Sequence, residues 1–517
     1  MEKESRRPAF WEAVPEEIAL LCASVMLVAL PLVFHDAFFD INRFKVSVVC
    51  HAAPCLLAAF VVALLLRPQG ERLPAPLPEA RIPACALAAL LLALLIACAR
   101  CGFDEASLTG SEGRYCGLAF WLACGCAFAV IASGASRLSH IDDAAIVCAG
   151  AVAALGIANA LGADPLRFYP GISEKQRSVF LSTIGNADFF GAYLAMLFPL
   201  AGARYVLSSR RRHVWLLPAL LMACGVTASR TDSSFLALHL SCAALLGCSG
   251  KSLDAMRRAL VLWGLCLLAL PAMQPALDAA DRMLYGLLLM LCRTRLALLL
   301  GALCLCGAGL CAWAKRRGMG APGLRLPVAI LTVILAAALV LIGVILWFTL
   351  VDSESELGAA SALLRFDDDW GSRRGYVYMR SLRAYADYSP ADRLFGRGVD
   401  LTKRILEPYA DNPRVLALGT FNDAHCQPLQ LLLTAGLFGA LSFLLLYALV
   451  IRATLRHADG DALLTGVFAS LSGYGVIMLL QVTQPVLIAT YLSLCALALS
   501  RLHPPKEGTD HEPSAAP

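Results

Sequence analysis

The sequence predicts an all-α, polytopic integral membrane protein with about 12–14 transmembrane helices and one long extracytoplasmic loop. Three observations carry this. Of 517 residues, 59% are hydrophobic and 16% charged, whereas soluble domains are about half apolar and about a quarter charged. The apolar residues come in blocks of about 20, the length that crosses a bilayer as a helix. The blocks lack the dyad alternation of a membrane barrel, and in lipid only helices or closed barrels satisfy the backbone.

Taken in order, the blocks run 17–35, 46–66, 83–99, 117–135, 143–162, 186–206, 215–229, 233–249, 259–274, 295–314, 327–350, 427–451, 461–480 and 484–501. The charged start "MEKESRRPAF" merges into a full-length span without a small-residue cleavage site, so no cleavable signal peptide is expected. The stretch 274–295 is amphipathic and suits the interface. The organisation is then an N-terminal bundle over 1–350, a long loop with short helices over 351–426, C-terminal spans over 427–501 and a disordered cytoplasmic tail over 502–517.

Lysine and arginine in short loops orient the bundle. "SSRRRH" (208–213), "KSLDAMRR" (251–258), "KRRG" (315–318) and "RATLR" (452–456) fall on one side, with both termini, and that side is cytoplasmic. Loops 36–45, 100–116, 163–185 and 351–426 then face outward. The last, roughly 75 residues, is far longer than ordinary connections, and such loops are usually functional or disordered. Its mixed aromatic, acidic and arginine content is not low-complexity, so it reads as ordered. The net charge of +5 is scattered as topology signals and does not suggest nucleic acid. The 20 cysteines have no metal spacing. "CLCGAGLC" (304–311) reads as small apolar filler, while Cys101 and Cys116 flank one outer loop where a disulfide is geometrically undetermined.

Polar residues on the outer side are the candidates for chemistry. Arg230, in "ASRTDSS", interrupts two apolar runs at the outer end of a span. It reads as an interfacial anchor or as an anion site, because guanidinium binds phosphate oxygens bidentately. Arg373 and Arg374 open an amphipathic helix bearing Tyr376, Tyr378 and Leu382, where positive charge opposes the macrodipole and calls for an anionic partner. Asp367, Asp368 and Asp369 are one such partner. The triplet could instead hold a divalent metal, but consecutive acids do not share a helical face. Arg114 and Lys45 each precede a span and are anchors or parts of a positive cluster suited to a diphosphate headgroup. His425, in "FNDAHCQP", sits where the long loop enters a span. Imidazole titrates near neutrality and can accept a proton from a hydroxyl nucleophile.

In order, "GRYCGL" (113–118), "GNADFFGAYLAMLFP" (185–199), "SRTDS" (229–233), "GSRRGYVY" (371–378), "LFGRGVD" (394–400) and "AHCQPLQLLLTAGLFG" (424–439) resemble the motif series of the O-antigen ligase family. The resemblance spans roughly residues 20–500. It implies a GT-C-like, metal-independent and cofactor-free glycosyltransferase of the bacterial cytoplasmic membrane. Such an enzyme moves a glycan from undecaprenyl diphosphate to an acceptor on the outer face. By position in the motifs, His425 corresponds to the base that activates the acceptor hydroxyl, and Arg230 and Arg374 to arginines that hold the diphosphate. Arg114, Arg373, Lys45, Asn186, Asp188 and Tyr378 are the expected substrate-binding residues. The chain departs from the family at Cys426, where asparagine is usual, and at Thr231, Tyr378, Pro428 and "GNAD", which bears on acceptor binding. The acceptor is a glycolipid, a wall polymer or a protein. A polysaccharide polymerase and a protein O-oligosaccharyltransferase share the architecture. A lipid-linked glycan flippase or transporter is the alternative of another class, and it predicts midplane polar residues and inverted repeats.

Overall fold

The computed structural model describes residues 6–66, 78–134, 137–208, 212–323, 325–358, 361–413 and 421–502. Helices dominate, and among the described residues the strands amount to one two-residue pair, Phe180–Leu181 against Gly185–Asn186. The long helices of the first half are α1 (Arg6–Ser24, carried on through a π-helical turn to Leu32), α2 (Ile41–Leu65), α3 (Pro78–Arg100), α4 (Leu118–Ser133), α5 (Ile141–Ala160), α6 (Ala187–Leu207), α7 (Leu216–Ser229) and α8 (Asp232–Cys248). Then follow α9 (Leu253–Ala279), α10 (Leu296–Arg316), α11 (Arg325–Leu350), α12 (Trp370–Ala386), α13 (Gln427–Thr434), α14 (Gly436–His457), α15 (Ala462–Leu480) and α16 (Pro485–Ser500).

Every expected apolar block is helical. Among the described residues nine helices are long and apolar enough to cross a membrane, and four more apolar helices are shorter. Burial separates centre from rim. The hydrophobic window of α6 is 89% buried and that of α15 72%, against 17% for α10 and 22% for α2. The peripheral helices therefore present apolar faces outward, as lipid contact requires. At the centre small residues let backbones approach, and hydroxyls bond across helices. Ser470 Oγ donates to Met196 O at 2.6 Å, and Ser241 Oγ donates to Ala469 O at 2.9 Å.

One expected span is corrected. The block 427–451 is two helices, because Gly436 adopts φ +70° and separates α13 from α14. A Cβ at Gly436 would lie 2.4 Å from the Leu394 carbonyl, so the chain bends where it meets the long loop. His425 consequently enters a buried two-turn helix rather than the membrane helix itself.

The loops sort to two ends of the bundle. At one end Asn42 Nδ2 donates to Gly113 O at 2.9 Å, Phe38 packs on Phe168, Ser111 N donates to Asp400 Oδ2 at 2.8 Å, and Arg404 pairs with Asp104 at 3.0 Å. These contacts join all four loops expected to share a side. At the other end Arg204 pairs with Asp142, Lys251 with Asp459, Lys315 with Asp254 and Arg456 with Glu79. Within 351–426 short helices (Ser361–Leu364, Pro390–Phe395, Thr402–Leu406) surround α12 on a small apolar core of Tyr376, Val377, Ala384, Tyr388, Leu401 and Ile405. The amphipathic stretch after α9 forms the short helix Gly286–Arg293. The tail beyond 502 lies outside the described residues.

Candidate functional site

The site forms where the clause 421–425 meets the start of α12 and the turn 481–484. Asp423 shapes the clause. Its Oδ1 accepts the His425 backbone N–H at 2.7 Å, the turn that aspartate makes with the amide two residues on. Its Oδ2 accepts the Thr483 N–H at 3.1 Å, which ties the clause to the turn before α16. His425 is thereby held at φ +52°, in the left-handed region that a non-glycine residue rarely occupies. The Tyr378 hydroxyl lies 3.0 Å from the His425 carbonyl and 2.6 Å from that of Leu479. The backbone of His425 is thus fixed on both sides. Its half-buried imidazole stands edge-on to Phe421, with ring centroids 6.0 Å apart, and takes no hydrogen bond or ion pair among the described residues.

Arg374 reaches the same place from α12. Gly371, Ser372 and Arg373 all have positive φ, so α12 proper begins at Arg374. This corrects the expectation that both arginines open the helix: Arg373 lies in a left-handed turn before it. Arg374 Nε donates to Leu480 O and Nη1 to Gly371 O, both at 2.7 Å. Gly375 is required next, because a Cβ there would lie 1.8 Å from the Asp367 carbonyl. Arg114 donates to Thr483 O and to Asn422 Oδ1, each at 3.0 Å. Burial, then the charges of Arg374, Arg114 and Arg373, push the His425 imidazole down to about 3.

Arg230 and Asp188 lie one step away. Arg230 is the left-handed C-cap of α7 and donates to Ser178 O at 3.1 Å and Met283 O at 3.4 Å, with its guanidinium 5.6 Å from the Tyr285 ring. Thr231 Oγ1 donates to Asp188 Oδ1 at 3.0 Å, and Asn186 caps α6 by accepting the Asp188 N–H at 2.8 Å. Tyr285 joins the two groups. Burial raises its phenol first, and it then feels Asp188, Arg230, Asp232 and Arg374.

The structure therefore brings Arg114, Arg373, Arg374 and Tyr378 to His425, and Arg230 and Asp188 to their flank. Lys45 is corrected. It is fully buried, and its ammonium donates to Leu30 O at 2.5 Å and Pro31 O at 3.0 Å. It satisfies carbonyls that the end of the first helix leaves open, a cation at the negative end of a helix dipole, and so does not face a headgroup. Cys101 and Cys116 are free thiols. Asp368 pairs with Arg380 at 2.7 Å, and among the described residues no cluster of histidine, cysteine or carboxylates has a metal-holding arrangement.

A cavity of about 370 Å³ opens beside the arginines, lined by Asn42, Arg43, Arg114, Asn186, Phe189 and Asn422 among others. Its wall depends on Asp400, a residue that the motifs do not single out for chemistry. The buried carboxylate accepts the Ser111 and Cys116 N–H groups at 2.8 and 3.2 Å and so holds the loop that carries Arg114. Burial raises its carboxyl to about 7. Asp423, Thr483 and Asn422 are also absent from the sequence-based set. Only the aspartate two residues before a histidine carries a local signal, that of a side-chain turn.

Residues 282–444 match the family model described as O-antigen ligase. The chain carries an O-antigen ligase domain. The match takes in Tyr285, all of the long loop, Arg374, His425 and the first part of α14; Lys45, Arg114, Asn186, Asp188 and Arg230 lie before it. No curated protein matches the chain. The O-antigen ligase domain and the apolar helices make this a multi-pass membrane protein with a transferase or ligase activity in polysaccharide assembly.

Proposed function

We propose that the chain is a glycosyltransferase moving a glycan from undecaprenyl diphosphate to an acceptor hydroxyl at the extracytoplasmic face of a bacterial cytoplasmic membrane. One observation carries the reading. Arg114, Arg230 and Arg374 spend their hydrogen bonds on neutral groups, and none is in an ion pair among the described residues. Arg100, Arg204, Arg380 and Arg404 all pair with aspartates. Guanidiniums without direct ion pairs, two beside an unpartnered imidazole and one on its flank, suit a dianionic leaving group beside a base.

The cavity lined by Arg114, Asn186 and Asn422 takes the donor sugar and its diphosphate. The acceptor oxygen attacks the anomeric carbon, and the bond from that carbon to the diphosphate oxygen breaks. His425 takes the hydroxyl proton. Arg374 and Arg230 stabilise the charge that develops on the departing undecaprenyl diphosphate, without reorganising in the reaction. Direct displacement inverts the anomeric centre. No step requires a metal ion.

Transfer of labelled glycan in membranes tests the mechanism. His425→Ala is expected to lower the rate by about 10²–10⁴, and Arg374→Ala by about 10²–10³. Near-normal transfer in both variants sinks it.

A further inference from the structure

The end of the bundle opposite the candidate site carries its own group of cations. Arg212 begins the short turn Arg212–Trp215 that leads into α7, and Arg257 and Arg258 stand in the second turn of α9. α9 packs on both α7 and α10, which brings these residues into one patch. Arg258 lies within electrostatic reach of Arg212, Asp254 and Arg257, and Asp254 within reach of Lys315, Arg257 and Arg258. The patch therefore sets Arg212, Arg257, Arg258 and Lys315 against one carboxylate, and Lys315 already holds that carboxylate.

The arginines are left with open donors. Arg258 gives its Nε to Val206 O at 2.7 Å. Arg212 and Arg257 are half-buried and take no hydrogen bond or ion pair among the described residues. The Arg257 Nε is buried without a partner. A topology signal needs only charge in a loop. Half-buried guanidiniums with free donors call for an anion, and phosphate oxygens fit the guanidinium fork.

Depth and surroundings say which anion. The 27 residues of α9 span about 40 Å at about 1.5 Å per residue, against a hydrocarbon core of about 30 Å. Its first turns therefore stand at the level of the headgroups. Beside the charges the surface is apolar: Val214 and Leu217 after Arg212, and Leu310 and Trp313 on α10, are exposed. The Trp313 ring lies 5.7 Å from the Arg317 guanidinium, as suits a tryptophan at the interface. A ligand here meets guanidiniums at one end and lipid-facing side chains at the other. A soluble anion has no use for the apolar flank.

We propose that this patch binds the phosphodiester of an anionic glycerophospholipid in the leaflet at that end. Arg212 and Arg257 hold the phosphate oxygens, and the acyl chains lie along Leu217 and Leu310. The inference is independent of the transferase reading.

Native mass spectrometry of the delipidated full chain tests it, with phosphatidylglycerol and phosphatidylcholine of identical acyl chains as probes. The wild type should bind phosphatidylglycerol about tenfold more tightly, and Arg212→Gln/Arg257→Gln should cut that preference to within about twofold. Lys251→Gln/Arg456→Gln removes the same charge at the same end from residues that pair with Asp459 and Glu79. It should keep the wild-type preference. An unchanged preference in Arg212→Gln/Arg257→Gln overturns the site, and so does an equal loss in both double variants, which reduces the effect to net charge. Millimolar inorganic phosphate should leave the lipid bound; displacement would assign the patch to a soluble anion and overturn the lipid. A second measurement needs no variant. Phosphatidylglycerol nanodiscs should raise the melting temperature of the wild type above that in phosphatidylcholine nanodiscs, since a ligand of the folded state stabilises it. Equal melting overturns the proposal.

Discussion

His425 is held neutral by its surroundings. Burial disfavours the imidazolium, and Arg374, Arg114 and Arg373 repel it. A neutral ring is ready to accept a proton, but the same field weakens it as a base. A bound diphosphate would compensate those guanidiniums and raise the basicity of His425 once the donor is in place. The sign of the pH dependence follows. The base must be unprotonated, so activity is lost as pH falls through its pKa, and a depressed pKa moves that loss to lower pH. The acid limb of kcat/KM reports the free enzyme. In the wild type it should stay flat well below the ordinary histidine value of about 6.5. Arg374→Ala should move the limb upward, and Arg374→Lys, which keeps the charge, should largely restore it. Identical acid limbs in wild type and Arg374→Ala would remove the electrostatic link between the two residues.

The elements around His425 owe their geometry to a few backbone positions. Gly375 lets the turn 367–369 close on α12, with Asp367 O where a Cβ would be. Gly375→Ala should destabilise the protein by about 1–3 kcal/mol, as overpacking does, and should displace Arg374. Gly320, which has open space around it, is the control. A melting curve of Gly375→Ala that overlays the Gly320→Ala curve would show that the turn tolerates the side chain. The spans were legible because apolar length is a local property of the chain, and α6, α15 and α16 fall within a residue or two of their expected ends. The break at Gly436 was hidden, because "LLLTAGLFG" stays apolar and the bend is imposed by Leu394, distant in sequence. In the site, Arg374 and His425 stood out as charges and bases in ordered motifs. Asp400, Asp423 and Thr483 did not, since each acts through backbone groups that only folding brings near. Lys45 misled for the opposite reason: a lysine near a span end looks interfacial until the carbonyls it satisfies are seen.

Across the whole molecule, both ends pair cations with carboxylates, and the candidate site stands out within its own end by guanidiniums that take no ion pair among the described residues. One end makes its pairs through Arg204, Lys251, Lys315 and Arg456. The other keeps Arg114, Arg230 and Arg374 without ion pairs around the candidate site. The positive-inside rule predicts that the first end faces the cytoplasm, because short loops rich in lysine and arginine resist translocation. In that orientation the proposed lipid-linked donor on the outer surface would meet the second end. This orientation is testable on the unmodified chain, since exposed lysines mark both ends: Lys403 in the long loop, and Lys251 and Lys315 opposite. A membrane-impermeant amine reagent applied to intact spheroplasts should modify Lys403 and spare the other two until the membrane is permeabilised, as read by peptide mass spectrometry. Labelling of Lys251 and Lys315 with Lys403 protected would turn the bundle over. The cavity, His425 and the arginines would then face the cytoplasm, and a transfer reaction on the outer surface could not use them.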